Sequence, residues 1–328
     1  MNTVRRIQHH SPRLSGVSKN TPGRCSKVMA PVRSLTSEEI YSSMEDKKDR
    51  MSGPEPKRFA VAEGYLQDVG RCSAATLLRL GAGALVLGYQ FSMERVGSED
   101  AGYAVMRLGG LFKSVEKSSC LSGYPRPSRP LILFHRTDSG GSKKVREAMS
   151  ILDLDVLVYP IPDGGPQWTS VAGFEQGMEG PVLVDSTHGV TLRDADAIVE
   201  HLFTMYGNPN KIPWILRSNA ISDFLLQSAL KMRAGKGSVY KGNTRVPEKP
   251  LVFWAYEASP FCAVVQEVLC ELAIPHVIKN VARGSAKRSI LFGDVGHFQA
   301  PFLEDPNENV CMFESAAIIE HLLSKYGQ

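Results

Sequence analysis

Residues 250–272 read P-L-V-F-W-A-Y-E-A-S-P-F-C-A-V-V-Q-E-V-L-C-E-L. Leu251 to Tyr256 is an apolar run of strand length. Pro260 stands where a first helical residue tolerates proline, because that position has no intrahelical partner for an N–H. Ser259 is then the N-cap, and Phe261, Val264, Val265, Val268, Leu269 and Leu272 fall on one helical stripe. The stretch predicts a strand, a tight turn at Ser259–Cys262, and a helix that packs on a sheet.

The same pattern occurs a second time at a constant offset of 120 residues. Pro130-Leu131 matches Pro250-Leu251, Val145 matches Val265, Leu152 matches Leu272, and Pro181 matches Pro301. Leu183-Val184-Asp185 parallels Leu303-Glu304-Asp305, and Ala197 to Leu202 parallels Ala317 to Leu322. Matches this dense without a register shift mark two copies of one unit, 130–207 and 250–328. In the second copy, strand Leu251–Tyr256 leads to helix Pro260–Ala273 and strand His276–Val281. A basic loop (Arg283, Lys287, Arg288), a hairpin at 300–312 and helix Ser315–Tyr326 follow. The expected class is α/β: two β-α-β-β-β-α units in tandem, each with a mixed four-stranded sheet.

Charge is unevenly placed. The formal net charge is +4, yet residues 1–58 carry 12 Lys+Arg against 6 Asp+Glu, and the remainder 26 against 28. The folded part is nearly neutral and lacks the electrostatic footprint of a nucleic-acid binder. The six cysteines are scattered, without a C-x-x-C pair, which argues against a disulfide scaffold and against structural zinc, so no metal is expected. Cys262 and Cys270 lie roughly 12 Å apart by helical rise and cannot bridge. H-E-x-x-H, P-loop and G-x-S-x-G motifs are absent.

The segments outside the repeats have distinct characters. Residues 1–37 hold seven Lys+Arg and no acidic residue before Glu38, the composition of an organelle transit peptide. Val28-Met29-Ala30 is similar to a plastid cleavage site, so a chloroplast is expected, with the mitochondrion as alternative. Residues 1–58 are thus expected to be transit peptide and linker, and 59–129 a helical, apolar region. Residues 73–91 form its apolar stretch, borderline in length for a bilayer and interrupted by Arg79. It predicts a helix packed on the domain or a protein partner, with membrane contact as the other reading. In linker 208–249, Ile221, Phe224, Leu225, Ser228, Ala229 and Met232 share one helical face, which predicts an amphipathic helix buried on that side.

Several motifs carry a family resemblance: Arg79-Leu80-Gly81 to Val86-Leu87-Gly88-Tyr89, Ser259–Cys262, Gly296–Pro301, and Phe313-Glu314-Ser315. Each repeat resembles the thioredoxin-fold N-terminal domain of glutathione transferases and their glutaredoxin relatives. The tandem arrangement resembles a plant and algal plastid family. The resemblance implies glutathione as ligand or co-substrate. It places Ser259 where a hydroxyl stabilises the glutathione thiolate, with Phe261 beside it. It makes Pro301 a cis-proline whose neighbour Ala300 pairs with the cysteinyl backbone. It gives Glu314-Ser315 the γ-glutamyl amine and carboxylate. A bland reading stands beside each: Ser259 and Glu314-Ser315 as helix caps, Pro301 as a fold device.

Cys262 occupies the second cysteine position of a redox turn whose first position is Ser259, so a dithiol mechanism is unavailable. It is either a thiol able to form mixed disulfides or a buried, inert one. In repeat one, Ser139-Gly140-Gly141-Ser142 replaces Ser259–Cys262, as expected of a scaffold copy. The helical substrate domain of transferases has no counterpart here beyond 208–249 and 59–129. Two functions follow as expectations: a glutathione-binding plastid protein with weak transferase or thiol–disulfide activity in repeat two, or a non-catalytic tandem scaffold, alternatively membrane-associated.

Overall fold

The computed structural model describes residues 45–57, 60–97, 107–166 and 180–327. The expected transit peptide, its cleavage site and Cys25 lie outside the described residues. In chain order, helix α1 is Leu66–Leu78, and strands β1 (Tyr89–Arg95), β2 (Arg107–Leu108) and β3 (Phe112–Ser118) follow. Repeat one comprises β4 (Leu131–His135), α2 (Gly140–Ile151), β5 (Val156–Pro160), β6 (Val182–Asp185), β7 (Val190–Leu192) and α3 (Ala195–Tyr206). Helix α4 (Ala220–Arg233) lies in the linker. Repeat two comprises β8 (Leu251–Ala255), α5 (Pro260–Glu271), β9 (His276–Asn280), α6 (Lys287–Val295), β10 (Phe302–Asp305), β11 (Val310–Phe313) and α7 (Ser315–Tyr326).

Each repeat has the expected α/β topology. β4 runs parallel to β5 and antiparallel to β6, and β8 runs parallel to β9 and antiparallel to β10. The two four-stranded sheets are not separate. β5 pairs antiparallel with β9, giving one eight-stranded sheet in the order β11-β10-β8-β9-β5-β4-β6-β7. At this seam Leu157 faces its repeat counterpart Val277, and Val156 faces Ile278 as Val158 faces His276, so a pseudo-twofold axis passes between Leu157 and Val277. The tandem repeat therefore shares one apolar core across both copies on one side of the sheet. The inner strands are buried on both sides, which is why they read as unbroken apolar runs. Leu251, Phe253 and Ala255 face one core with Val265 and Leu269 of α5, whereas Val252 and Trp254 face a second core beneath Leu291 of α6.

Three expectations outside the repeats are corrected. The 59–129 region is not simply helical, because β1, β2 and β3 form a three-stranded antiparallel sheet in the order β1-β3-β2. The 73–91 stretch does not make one helix. Helix α1 ends at Leu78, and a run of turns carries the chain to β1. The helix stops where Leu80, Gly81 and Gly83 turn to positive φ, just after its last cap, Arg79. Arg79 is buried and donates to both carboxylate oxygens of Glu147 (3.0 and 2.6 Å) and to the Ile215 carbonyl (2.9 Å), tying α1 to α2 and the linker. Among the described residues, no helix is long and apolar enough to cross a membrane.

Helix α4 forms as expected but turns a different face inward. Ser222, Leu226 and Ala229 are buried, while Ile221 and Phe224 are 66% and 70% exposed. A buried serine is tolerated because its hydroxyl donates to the Ile215 carbonyl at 2.5 Å. Apolar count alone therefore picks the wrong stripe. The basic loop at 283–288 is likewise short, since α6 starts at Lys287.

Candidate functional site

The turn at the head of α5 is built as its sequence dictates. Ser259 has extended backbone geometry, its hydroxyl oxygen accepts the Cys262 N–H at 3.2 Å, and Pro260 opens the helix. A hydroxyl that accepts through a lone pair keeps its O–H as a donor. Ser259, only 2% exposed, and the head of α5 line a cavity of about 530 Å³. That size suits a small-molecule ligand.

The cavity brings together Ser259, Pro260, Phe261, Ala300, Pro301, Glu314 and Ser315. These come from three separate loops: the head of α5, the entry to β10 and the β11–α7 junction. The Ala300-Pro301 peptide bond is cis. At the junction, Glu314 has φ 68° and ψ 117°, a left-handed-side conformation that costs a non-glycine residue about 1–3 kcal/mol. Glu314 gives α7 no side-chain cap, which leaves the first-turn N–H groups of that helix without that partner, and Glu314 and Ser315 both line the cavity. Glu314 Oε1 instead accepts from Gln299 Nε2 and from the Lys57 backbone N–H, both at 2.7 Å.

Cys262 is not brought into the cavity. It is fully buried behind the turn, and burial pushes its thiol up to about 12, against the favourable contact with Ser259. A thiol in this state is protonated at neutral pH and is a poor nucleophile. Of the two expected states of Cys262, the geometry supports the inert one.

Several lining residues escaped the sequence reading as site members. Arg283 and Arg288 stood out as a basic loop, but nothing local joined them to Ser259. Arg288 is held in place by its Nε bond to the Val281 carbonyl (2.9 Å) and lies over the Phe298 and Tyr256 rings at 4.8 and 5.6 Å. Val69 and Ser73 of α1 form the opposite wall, and Lys57 and Ala60 lie at the rim. Residues 47–57 reach that rim as a strap: Lys47 pairs with Asp294 (2.7 Å), and the Ser52 N–H donates to the Cys311 carbonyl (2.7 Å).

Among the described residues, the equivalent turn of repeat one lies under helix α4. Gly140 and Gly141 stand where repeat two has Pro260 and Phe261. A Cβ on Gly140 would lie 3.1 Å from Leu226, and one on Gly141 3.1 and 3.2 Å from Ala195 and Pro181. Helix α4 thus packs directly on the turn, and the glycines permit that approach. Ser139 and Asp194 remain as N-caps of α2 and α3.

Comparison with known proteins accords with this geometry. Residues 133–210 and 253–328 each match the family model of the glutathione S-transferase N-terminal domain. No curated protein and no solved structure matched the chain significantly. Residues 133–210 and 253–328 are thus two glutathione S-transferase N-terminal, thioredoxin-like domains in tandem.

Proposed function

We propose that repeat two is a glutathione site and that repeat one is its scaffold. The observation that carries this reading is one cavity holding Ser259, cis-Pro301 with Ala300, and Glu314-Ser315 together. Glutathione presents one amine, two carboxylates and a thiol, and the cavity offers a matching set. Glu314 takes the amine, and the uncapped N-terminus of α7 takes the γ-glutamyl carboxylate. The Ala300 backbone pairs with the cysteinyl residue. Lys57, Arg283 and Arg288 make the rim basic toward the second carboxylate. The Ser259 O–H and the head of α5 stabilise the thiolate. A bound thiolate is a nucleophile for an electrophilic carbon or a disulfide, so the activity is transferase or thiol–disulfide exchange, with α1 supplying the wall toward the second substrate.

Calorimetric titration of the purified protein with glutathione tests this. Binding is expected, weakened about tenfold in Ser259→Ala by loss of a charge-assisted hydrogen bond. Titration to millimolar glutathione without heat would overturn the reading. The closed turn of repeat one supports a single site per chain, and two sites of equal affinity would contradict the scaffold assignment.

The composition of residues 1–37 supports delivery to a chloroplast. A fluorescent fusion of 1–58 checks it, and mitochondrial fluorescence would reassign the compartment.

A further inference from the structure

A second polar cluster stands in repeat one, away from the cavity. Asp185 ends β6, His188 lies in the turn to β7, and His201 and Tyr206 belong to α3. Asp185 Oδ2 is 2.9 Å from His188 Nδ1, 2.9 Å from His201 Nε2 and 2.6 Å from the Tyr206 hydroxyl. Its Oδ1 accepts the backbone N–H groups of Thr187 (3.0 Å) and His188 (3.3 Å), which fixes the carboxylate plane. The carboxylate and the two imidazoles offer donor atoms all within 4.8 Å of one another. Asp185 is fully buried and His201 nearly so, while His188 is 33% exposed, so the cluster opens on one side.

Repeat two shows which part of this arrangement the fold requires. There Asp305 Oδ2 is 2.8 Å from His321 Nε2 and 2.7 Å from the Tyr326 hydroxyl. The Asp–His–Tyr network is therefore common to both repeats and ties the hairpin to the last helix. His188 is the addition. Its counterpart, Glu308, points instead to Arg245 of the linker (3.3 Å) and to Lys325 (3.0 Å), and the repeat-one counterpart of Lys325 is Met205. Repeat one thus carries, in place of a salt-bridged glutamate, an imidazole aimed at a buried carboxylate, and lacks the lysine beside it.

Two imidazoles and one carboxylate with an open position form a donor set for zinc and other first-row divalent ions. We propose that Asp185, His188 and His201 bind a divalent transition metal, with Zn²⁺ as occupant and solvent at the remaining position. Binding requires neutral imidazoles whose protons sit on His188 Nε2 and His201 Nδ1, so that the nitrogens facing Asp185 carry lone pairs. The Tyr206 O–H stays on Asp185 and orients it, as outer-shell partners of metal ligands do. The scattered cysteines argued against a metal, and this site uses none of them.

The full chain, stripped with a chelator, is titrated with Co²⁺ and then with Zn²⁺ as competitor. One equivalent of Co²⁺ is expected to give a visible spectrum without a thiolate charge-transfer band, and Zn²⁺ is expected to displace it. His188→Ala should weaken binding at least about 100-fold. It should leave circular dichroism and melting nearly unchanged, because the remaining network is the one repeat two already uses. His188→Gln, which keeps a hydrogen-bond donor toward Asp185, gives the same loss if the alanine variant folds poorly. Absence of stoichiometric binding, a thiolate band, or undiminished affinity in both His188 variants would overturn the proposal.

Discussion

Leu157 lies directly opposite Val277 in the antiparallel pairing of β5 with β9, and the two occupy the same position of the two repeats. Both are buried in one apolar cluster with Phe134, Tyr159 and Val184. The seam between repeats is thus core, not an interdomain surface. Leu157→Ala is expected to cost about 2–5 kcal/mol. The loss should appear as a lower midpoint of a single urea transition for the whole chain, and Val277→Ala should couple to it non-additively. Two resolved transitions, with only repeat one destabilised, would show that the repeats fold independently.

Across the same seam, Arg146 of α2 holds Glu257, which follows β8, by two bonds of 2.9 and 3.0 Å, and Lys143 adds a third at 3.0 Å. The repeat counterparts are Gln266 and Thr137, so this charge pair breaks the pseudo-symmetry. Burial opposes ionisation of Glu257, but Arg146 and then Lys143 override it, and the carboxyl falls to about 2. A depressed folded value contributes stability above the unfolded value near 4.5, and that contribution fades as pH falls toward 2. Wild-type urea stability should therefore drop between pH 5 and pH 3 by more than that of Glu257→Gln. Equal slopes for the two proteins would contradict it.

Cys262 should resist thiol chemistry in the native protein. It has no exposed surface, and burial raises its thiol to about 12. Alkylation at pH 8 followed by peptide mass mapping should leave Cys262 unmodified until denaturant is added, while among the described cysteines the partly exposed Cys120 labels first. Rapid native labelling of Cys262 would restore it as a reacting group.

The strap makes one more measurement informative. Glu314 Oε1 already accepts the Lys57 N–H at 2.7 Å, in the place assigned to the ligand amine. Compared with Lys57→Ala, which loses only the rim cation, Lys57→Pro also loses that N–H. Glutathione affinity should be several-fold higher in the proline than in the alanine variant if the strap competes, and equal or weaker affinity would make the strap a wall rather than a competitor.

Much of the fold was present in local chemistry. The 120-residue periodicity, the apolar strand runs and the caps at Ser259 and Asp194 each depend on near neighbours, so strands β4–β11 and helices α2, α3, α5 and α7 could be read from them. The Ser259 turn, Pro301 and Glu314-Ser315 were likewise visible as motifs. The β1–β3 sheet was not, because its mixed polar strands carry weak alternation and are identified only by pairing with each other.

Tertiary structure decided what those motifs are for. Sequence could not say that Ser259 faces a cavity while Cys262, three residues on, is sealed behind it; side-chain direction at a helix start is set by packing. It could not distinguish the open turn of repeat two from the closed one of repeat one, since closure depends on Leu226 arriving from α4. Nor could it join Asp185, His188 and His201, or fuse two sheets at Leu157 and Val277. The chain alone determined the repeat and its chemistry-bearing turn. Long-range packing, whose energy depends on which surfaces exclude water together, determined which copy is open.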